Sequence, residues 1–238
     1  MWGWHVWDVD TISVQLQQLF DRNGYHNISV YNFGIESAEI ASELALLRQF
    51  RELYSIDQVI FYTGANDVTQ RYMEAMTPPG TRPPSLLGAD TSFELIKVIT
   101  RLQAKFISEG FLAHIDAEVL PKLRKNNSLI IGMAEARTYC RQEGLKCDFV
   151  LQPMLLLRKN PIGPEIALAK SLKQLEPRYD VAIEMIYQAA RNNSTDVYDF
   201  SNMFDGSRQP MFVDAVHVNE PANRIIAERL ATIGAASN

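Results

Sequence analysis

The sequence predicts an α/β fold in which a mostly parallel sheet lies between layers of helices, and two observations carry that prediction. Runs such as Val59-Ile60-Phe61-Tyr62 and Phe149-Val150-Leu151 are continuously apolar, as strands buried on both faces are. Between them lie longer stretches with apolar residues at helical spacing, the alternation of strand and helix that builds parallel sheets. At 238 residues, 47% of them hydrophobic and 21% charged, the chain reads as a single ordinary domain over 1–238.

The elements follow in order. Asp10 or Thr11 is placed to cap a first helix in which Leu16, Leu19 and Phe20 share a face, and Gly24 suits its stop. A strand is expected over 28–33. Ile40, Leu44, Leu47 and Phe50 recur near i, i+4, i+7 and i+10, a second helix that ends near Tyr54. The strand at 59–62 then hands the chain to Thr63-Gly64-Ala65-Asn66-Asp67. The stretch TPPGTRPPS, 77–85, is too proline-rich for helix or central strand and reads as a surface loop beside the strand end, a lid or pocket wall. Helical patterns fill 93–107 and 127–143, the second with Leu129, Met133, Ala136 and Cys140 on one face and Gly144 at its stop. After the strand at 149–151 come a Gln152-Pro153 turn, a long helix within 164–191, and a short strand around Val197-Tyr198. A last helix has Ile226, Leu230 and Ile233 on one face and Gly234 after it.

Charge and composition exclude several function classes. With 23 Lys+Arg against 28 Asp+Glu and no basic cluster, the chain lacks the electrostatic footprint of a nucleic-acid partner. No apolar run approaches the roughly 18 residues of a membrane span, and MWGWHVWDVD lacks a basic region followed by an apolar stretch, so the chain reads as soluble and untargeted as it stands. Cys140 and Cys147, spaced C-x6-C, are expected to be two plain thiols rather than a bridge or a ligand pair. None of His5, His26, His114 and His217 pairs with another at metal-ligand spacing, so neither a metal nor another cofactor is expected.

In open parallel sheets ligands bind beyond the C-terminal ends of the strands, which directs attention to three polar turns. The first is Asn32-Phe33-Gly34-Ile35-Glu36-Ser37, where Gly34 can present a bare N–H or simply make a turn. The second is Gly64-Ala65-Asn66-Asp67, where the Asn66 amide can donate into a cleft or the pair can act as a helix cap. The third is Asp214-Ala215-Val216-His217, where a carboxylate three residues before an imidazole can hold one ring nitrogen and leave the other as a base, or form an ordinary surface contact.

Taken together and in this order, the Gly34 turn, the G-x-N-D turn and the late D-x-x-H resemble the SGNH (GDSL-type) serine hydrolase superfamily, across nearly the whole chain. The resemblance implies a flavodoxin-like α/β/α sandwich and an esterase, with Gly34 and Asn66 as oxyanion donors, His217 as general base and Asp214 as its orienter. Ester cleavage places negative charge on a carbonyl oxygen, and each preorganised donor there is worth about 2.7–4 kcal/mol. A hydroxyl nucleophile also needs a base with a fixed tautomer. The implied substrate is a small-molecule, carbohydrate or lipid ester, and hydrolysis and acyl transfer use the same groups.

One block of that family is missing: the Gly-x-Ser turn that closes the first strand and carries the nucleophile. Trp2-Gly3-Trp4 through Asp8-Val9-Asp10-Thr11-Ile12 resemble the stretch that follows that serine, which would lie one to three residues upstream of Met1. Ser13, Ser29 and Ser37 do not fit the nucleophile's place. The strand belongs between 28–33 and 59–62, so the expectation is that Met1 is not the natural start and that an upstream segment carries strand and serine, a segment that could also carry an export signal or membrane anchor. Two alternatives stand beside the esterase: a non-catalytic SGNH-like domain that binds an ester or glycan, or a decayed fragment; and a metal site using Asp214 and His217. The loop at 69–92 and the segment 152–164 would shape the pocket. Trp2, Trp4 and Trp7 would pack under the first helix or stack against sugars.

Overall fold

The computed structural model describes residues 6–76, 109–193 and 196–235. Three strands form a parallel sheet in the order β1 (Gln58–Thr63), β2 (Lys146–Leu151), β3 (Val197–Asp199). In its register Phe61 lies opposite Phe149, and the two rings stack at 5.2 Å. Helices cover this sheet as a three-layer α/β/α fold: α1 (Ile12–Arg22), α2 (Ile40–Arg51), α3 (Ala65–Met76), α4 (Glu109–His114), α5 (Leu120–Lys125), α6 (Ser128–Glu143), α7 (Pro164–Leu175), α8 (Tyr179–Asn193) and α9 (Glu220–Ala235). A single π turn, Ile115–Val119, joins α4 to α5. The apolar stripes expected from the sequence are buried: Ile40, Leu44 and Leu47 on α2, Leu129, Met133, Ala136 and Cys140 on α6, Ile226, Leu230 and Ile233 on α9. α1 packs along α9, and α2 packs along α6.

The structure corrects several expectations. Residues 28–33 run without a strand partner, because no described strand lies between them and β1. Two of their ladder groups are met by the Gln17 carboxamide instead: Nε2 donates to the Ile28 carbonyl at 3.0 Å and Oε1 accepts the Val30 N–H at 2.7 Å. Thr11 stands at the N-cap of α1, but its hydroxyl turns back to the Asp8 carbonyl and caps nothing in the helix. The long helix expected within 164–191 is two, broken at Glu176-Pro177-Arg178, where Arg178 takes φ +68°. Gly234 lies inside α9 rather than after it. Trp7 is exposed, not packed under α1; Trp2, Trp4, the proline-rich loop at 77–85 and the helix expected at 93–107 lie outside the described residues.

Cys140 and Cys147 are joined in a disulfide, not left as thiols. Gly144, at φ +66°, ends α6 in a left-handed cap and reverses the chain so that β2 returns alongside the helix, with the two Cα atoms 6.2 Å apart. A link closing so short a loop restricts the unfolded chain by about 2.5 kcal/mol in the chain-entropy treatment. Reduction, or replacement of both cysteines by serine, is expected to lower the thermal midpoint by several degrees; identical melting curves with and without reductant would show that the bridge is unformed in solution.

Gly64 is the turn on which the site depends. Its φ is +109°, and a Cβ there would stand 2.9 Å from the Tyr187 ring and hydroxyl. Tyr187 is fully buried and donates to the Gln152 carbonyl at 3.1 Å, so it has nowhere to retreat. Gly64→Ala is expected to cost about 1–3 kcal/mol from backbone strain and overpacking together, read by denaturant unfolding.

Candidate functional site

Parallel pairing brings the exits of β1 and β2 to one edge of the sheet, and hydrogen bonds lace the following loops together there. The Gln152 N–H donates to the Thr63 carbonyl at 3.1 Å, and the Ala65 N–H donates to Gln152 Oε1 at 3.2 Å. Leu155, in the 3₁₀ turn Leu155–Leu157, donates its N–H to the Ala215 carbonyl at 3.0 Å. The β1–α3 turn holding Asn66 and the loop holding Asp214 and His217 are thus both tied to the segment that leaves β2.

Within the late loop the geometry is local and complete. Asp214 Oδ1 accepts the N–H groups of Val216 at 2.9 Å and His217 at 2.7 Å, an Asx turn that folds the loop back on itself. Its other oxygen, Oδ2, lies 2.6 Å from His217 Nδ1. Burial raises the Asp214 pKa, but the hydrogen bond and charge of His217 and the two backbone donors outweigh it and hold the carboxyl below its usual range. An ionised carboxylate only accepts, so Nδ1 carries the proton and Nε2 is the basic nitrogen. The turn is closed by an N–H from Val213 to the His217 carbonyl at 2.9 Å and by an antiparallel bridge between Phe212 and Val218. The imidazole is partly exposed, its side chain at 38%.

Asn66 and Asp67, in the first turn of α3, hold the entrance of α2. Asn66 Nδ2 donates to the Ala38 carbonyl at 2.9 Å, which uses one of the amide's two N–H groups. Asp67 is buried, accepts the Ile40 N–H at 3.4 Å to each oxygen, and accepts the Thr63 hydroxyl at 3.2 Å. The dipeptide therefore braces the start of a different helix from its own. Gly34 donates its N–H to the Asn32 side chain at 3.0 Å, so that N–H is engaged within its own turn. Residues 65–76 form α3, so the pocket-wall loop expected from 69 begins as helix. Among the described residues, no three His, Cys, Asp or Glu side chains converge as metal ligands.

A feature the sequence did not suggest is Glu43, on α2 behind Asp67. Burial, and then the Asp67 charge, push its carboxyl from 4.5 up to about 8, and its Oε2 has no hydrogen-bond partner among the described residues. Asp67 itself is raised from 3.8 to about 6 by burial and by Glu39, against the donors Ile40 and Thr63. Helical spacing gave no warning, since Glu43 sits beside the apolar stripe where a solvated residue is ordinary.

No protein-family model matches the sequence, and no curated protein matches it. Among solved structures the chain is similar to an acetyl xylan esterase, AlAXEase, with a TM-score of 0.51 and 13% identity, over 94% of this chain and 90% of that one. The likeness is one of fold.

The pKa pattern predicts how stability moves with pH. A carboxyl raised in the folded state keeps a proton that the unfolded chain has lost, so its favourable contribution at low pH declines as pH rises from the unfolded value toward the folded one. For Glu43 that window runs from about 4.5 to about 8. Asp214 acts oppositely: lowered in the fold, it adds stability at neutral pH that disappears as pH falls below the carboxylate range. Glu43→Gln is expected to be more stable than the parent at pH 8 and to lose most of that advantage at pH 5, measured by urea unfolding at both values. An advantage independent of pH would show that Glu43 is not a buried carboxyl.

Proposed function

We propose that the protein is an ester hydrolase of the serine type, in which His217 is the general base, Asp214 orients it, and Asn66 and Gly34 donate to the oxyanion. The observation that carries the reading is the Asp214–His217 pair, ordered by its own turn and tied to the strand exit that also holds the Asn66 turn. The likeness in fold to an acetyl xylan esterase supports the same reaction class, and the substrate proposed is a small-molecule, carbohydrate or lipid ester.

Each group has a definite task. His217 takes the proton of the attacking hydroxyl through Nε2 and returns it to the leaving alcohol, while the Asp214 carboxylate holds the tautomer and stabilises the imidazolium that forms. The second N–H of Asn66 meets the carbonyl oxygen as it becomes negative. Gly34 joins it once its N–H is released from Asn32. The nucleophile in this reading is a serine on a Gly-x-Ser turn upstream of Met1, at the end of a strand lying between 28–33 and β1. Two features support such a strand: among the described residues β1 pairs along one edge only, and a glutamine side chain meets the ladder groups of Ile28 and Val30.

In the protein as naturally translated, His217→Ala and Asn66→Ala are each expected to lower turnover of an aryl acetate at least about a hundredfold with the circular dichroism and melting curve preserved. Asp214→Asn is expected to lower it clearly as well. Parental turnover in His217→Ala or Asn66→Ala would remove that residue from the mechanism. Complete absence of turnover in the parent, with ester or glycan binding retained, would leave a binding domain of the same fold.

A further inference from the structure

An ion pair is buried between the exit of β2 and the loop that carries His217. Arg158 follows the 3₁₀ turn and Glu165 sits in the first turn of α7; their side chains are 1% and 0% exposed. Arg158 Nη1 donates to Glu165 Oε1 at 2.6 Å and Oε2 at 2.7 Å, and its Nη2 donates to the carbonyls of Ser207 at 3.1 Å and Gln209 at 3.2 Å. Glu165 Oε2 also accepts the Ile162 N–H at 2.9 Å, and Oε1 accepts the N–H groups of Met211 at 2.7 Å and Phe212 at 2.9 Å. Two opposite charges thus grip four successive points of the chain between 207 and 212.

An apolar pair of the same volume often serves a core as well as an isolated ion pair, but this pair also satisfies three N–H groups and two carbonyls. What apolar groups lack is direction: a carboxylate fixes where its donors point. The two donors here are the residues that begin the His217 loop. Phe212 bridges to Val218, Val213 donates to the His217 carbonyl, and Asn219 donates its N–H to the Met211 carbonyl at 2.9 Å and its side-chain N–H to the Pro210 carbonyl at 2.8 Å. Both limbs of the Asp214–His217 turn therefore hang from the two residues that Glu165 holds. Asn219 also caps α9, accepting the Ala222 N–H at 3.1 Å, so the descending limb is fixed to a helix as well.

We infer that Glu165, itself fixed by Arg158, is a positioning residue for His217: it sets the backbone of Met211 and Phe212 and thereby the orientation of the imidazole and its hydrogen bond to Asp214. The consequence for turnover rests on the ester-hydrolase reading, whereas the geometry exists without substrate.

The test is an NMR comparison of the ¹⁵N-labelled parent with two variants, the His217 ring signals being assigned by their loss in His217→Ala. Glu165→Gln keeps the side-chain size but turns an NH2 toward groups that only donate. Its expected signature is a mixed His217 tautomer, loss of the hydrogen-bonded Nδ1–H signal, and exchange of the His217 amide at least about tenfold faster, with the His26 ring unchanged. The double variant Arg158→Met/Glu165→Leu leaves three N–H groups and two carbonyls without these partners, so it melts below the parent; measured well below its own midpoint, it shows the same altered His217 signature. A folded variant of either kind with the parental tautomer and amide exchange overturns the inference. Turnover measured in parallel falls in kcat more than it rises in KM. Failure of the hydrolase reading has a different appearance, a parent with an ordered His217 ring and no ester turnover.

Discussion

The parallel pairing of β1 with β2 sends both strands out of the sheet at the same edge, and what the molecule can do is arranged along that edge. Antiparallel pairing would put the two exits at opposite ends and separate Asn66 from the segment that braces His217. Because the strands leave together, one short stretch, Gln152 to Leu155, can bond to the Thr63-Gly64-Ala65 turn on one side and to Ala215 on the other. Gly64 is needed for the same reason: the chain must turn sharply against the buried Tyr187 hydroxyl that holds Gln152 in place.

Polar groups are buried at this edge at some cost to stability, and their partners show what that cost maintains. Burial raises the carboxyls of both Asp67 and Glu43, with the charge of Glu39 adding to the first and that of Asp67 to the second. Asp67 nonetheless fixes the first N–H of α2 and so the approach of the chain from residue 38 onward. Glu165 is the opposite case, a buried carboxyl met by four nitrogen donors, and it is the donors' positions rather than their number that matter to the site. The disulfide lies at the other end of β2 and secures that strand to α6.

Periodicity made most of the helices and the interior strands legible, because the apolar stripes of α2, α6 and α9 are the faces the structure buries. It was weaker where the stripe is short and failed where pairing is set elsewhere. In 109–125 the buried residues Ile115, Val119 and Leu123 do recur at i, i+4 and i+8, but the stripe is only three residues long and is interleaved with Pro121 and charged neighbours, so it stands out less than those of α2, α6 and α9. Residues 28–33 have strand composition, yet a strand exists only where a partner supplies its ladder. The Cys140–Cys147 bridge depends on a left-handed cap that returns β2 beside α6, which spacing alone does not reveal. Asp214 and His217 were readable because they are three residues apart and bond through their own turn. Arg158 and Glu165 were not, since their backbone partners lie some fifty residues downstream.

The most direct measurement is the intact mass of the naturally translated protein after exposure to a fluorophosphonate, with peptide mapping of any adduct. Attack by a serine on phosphorus would expel fluoride and leave one phosphonyl group per chain, so the account predicts a single adduct, on a serine that follows a glycine by two positions, and none in His217→Ala. A parent that takes up no adduct while its Asp214–His217 pair is intact, or an adduct that forms equally well without His217, would contradict it.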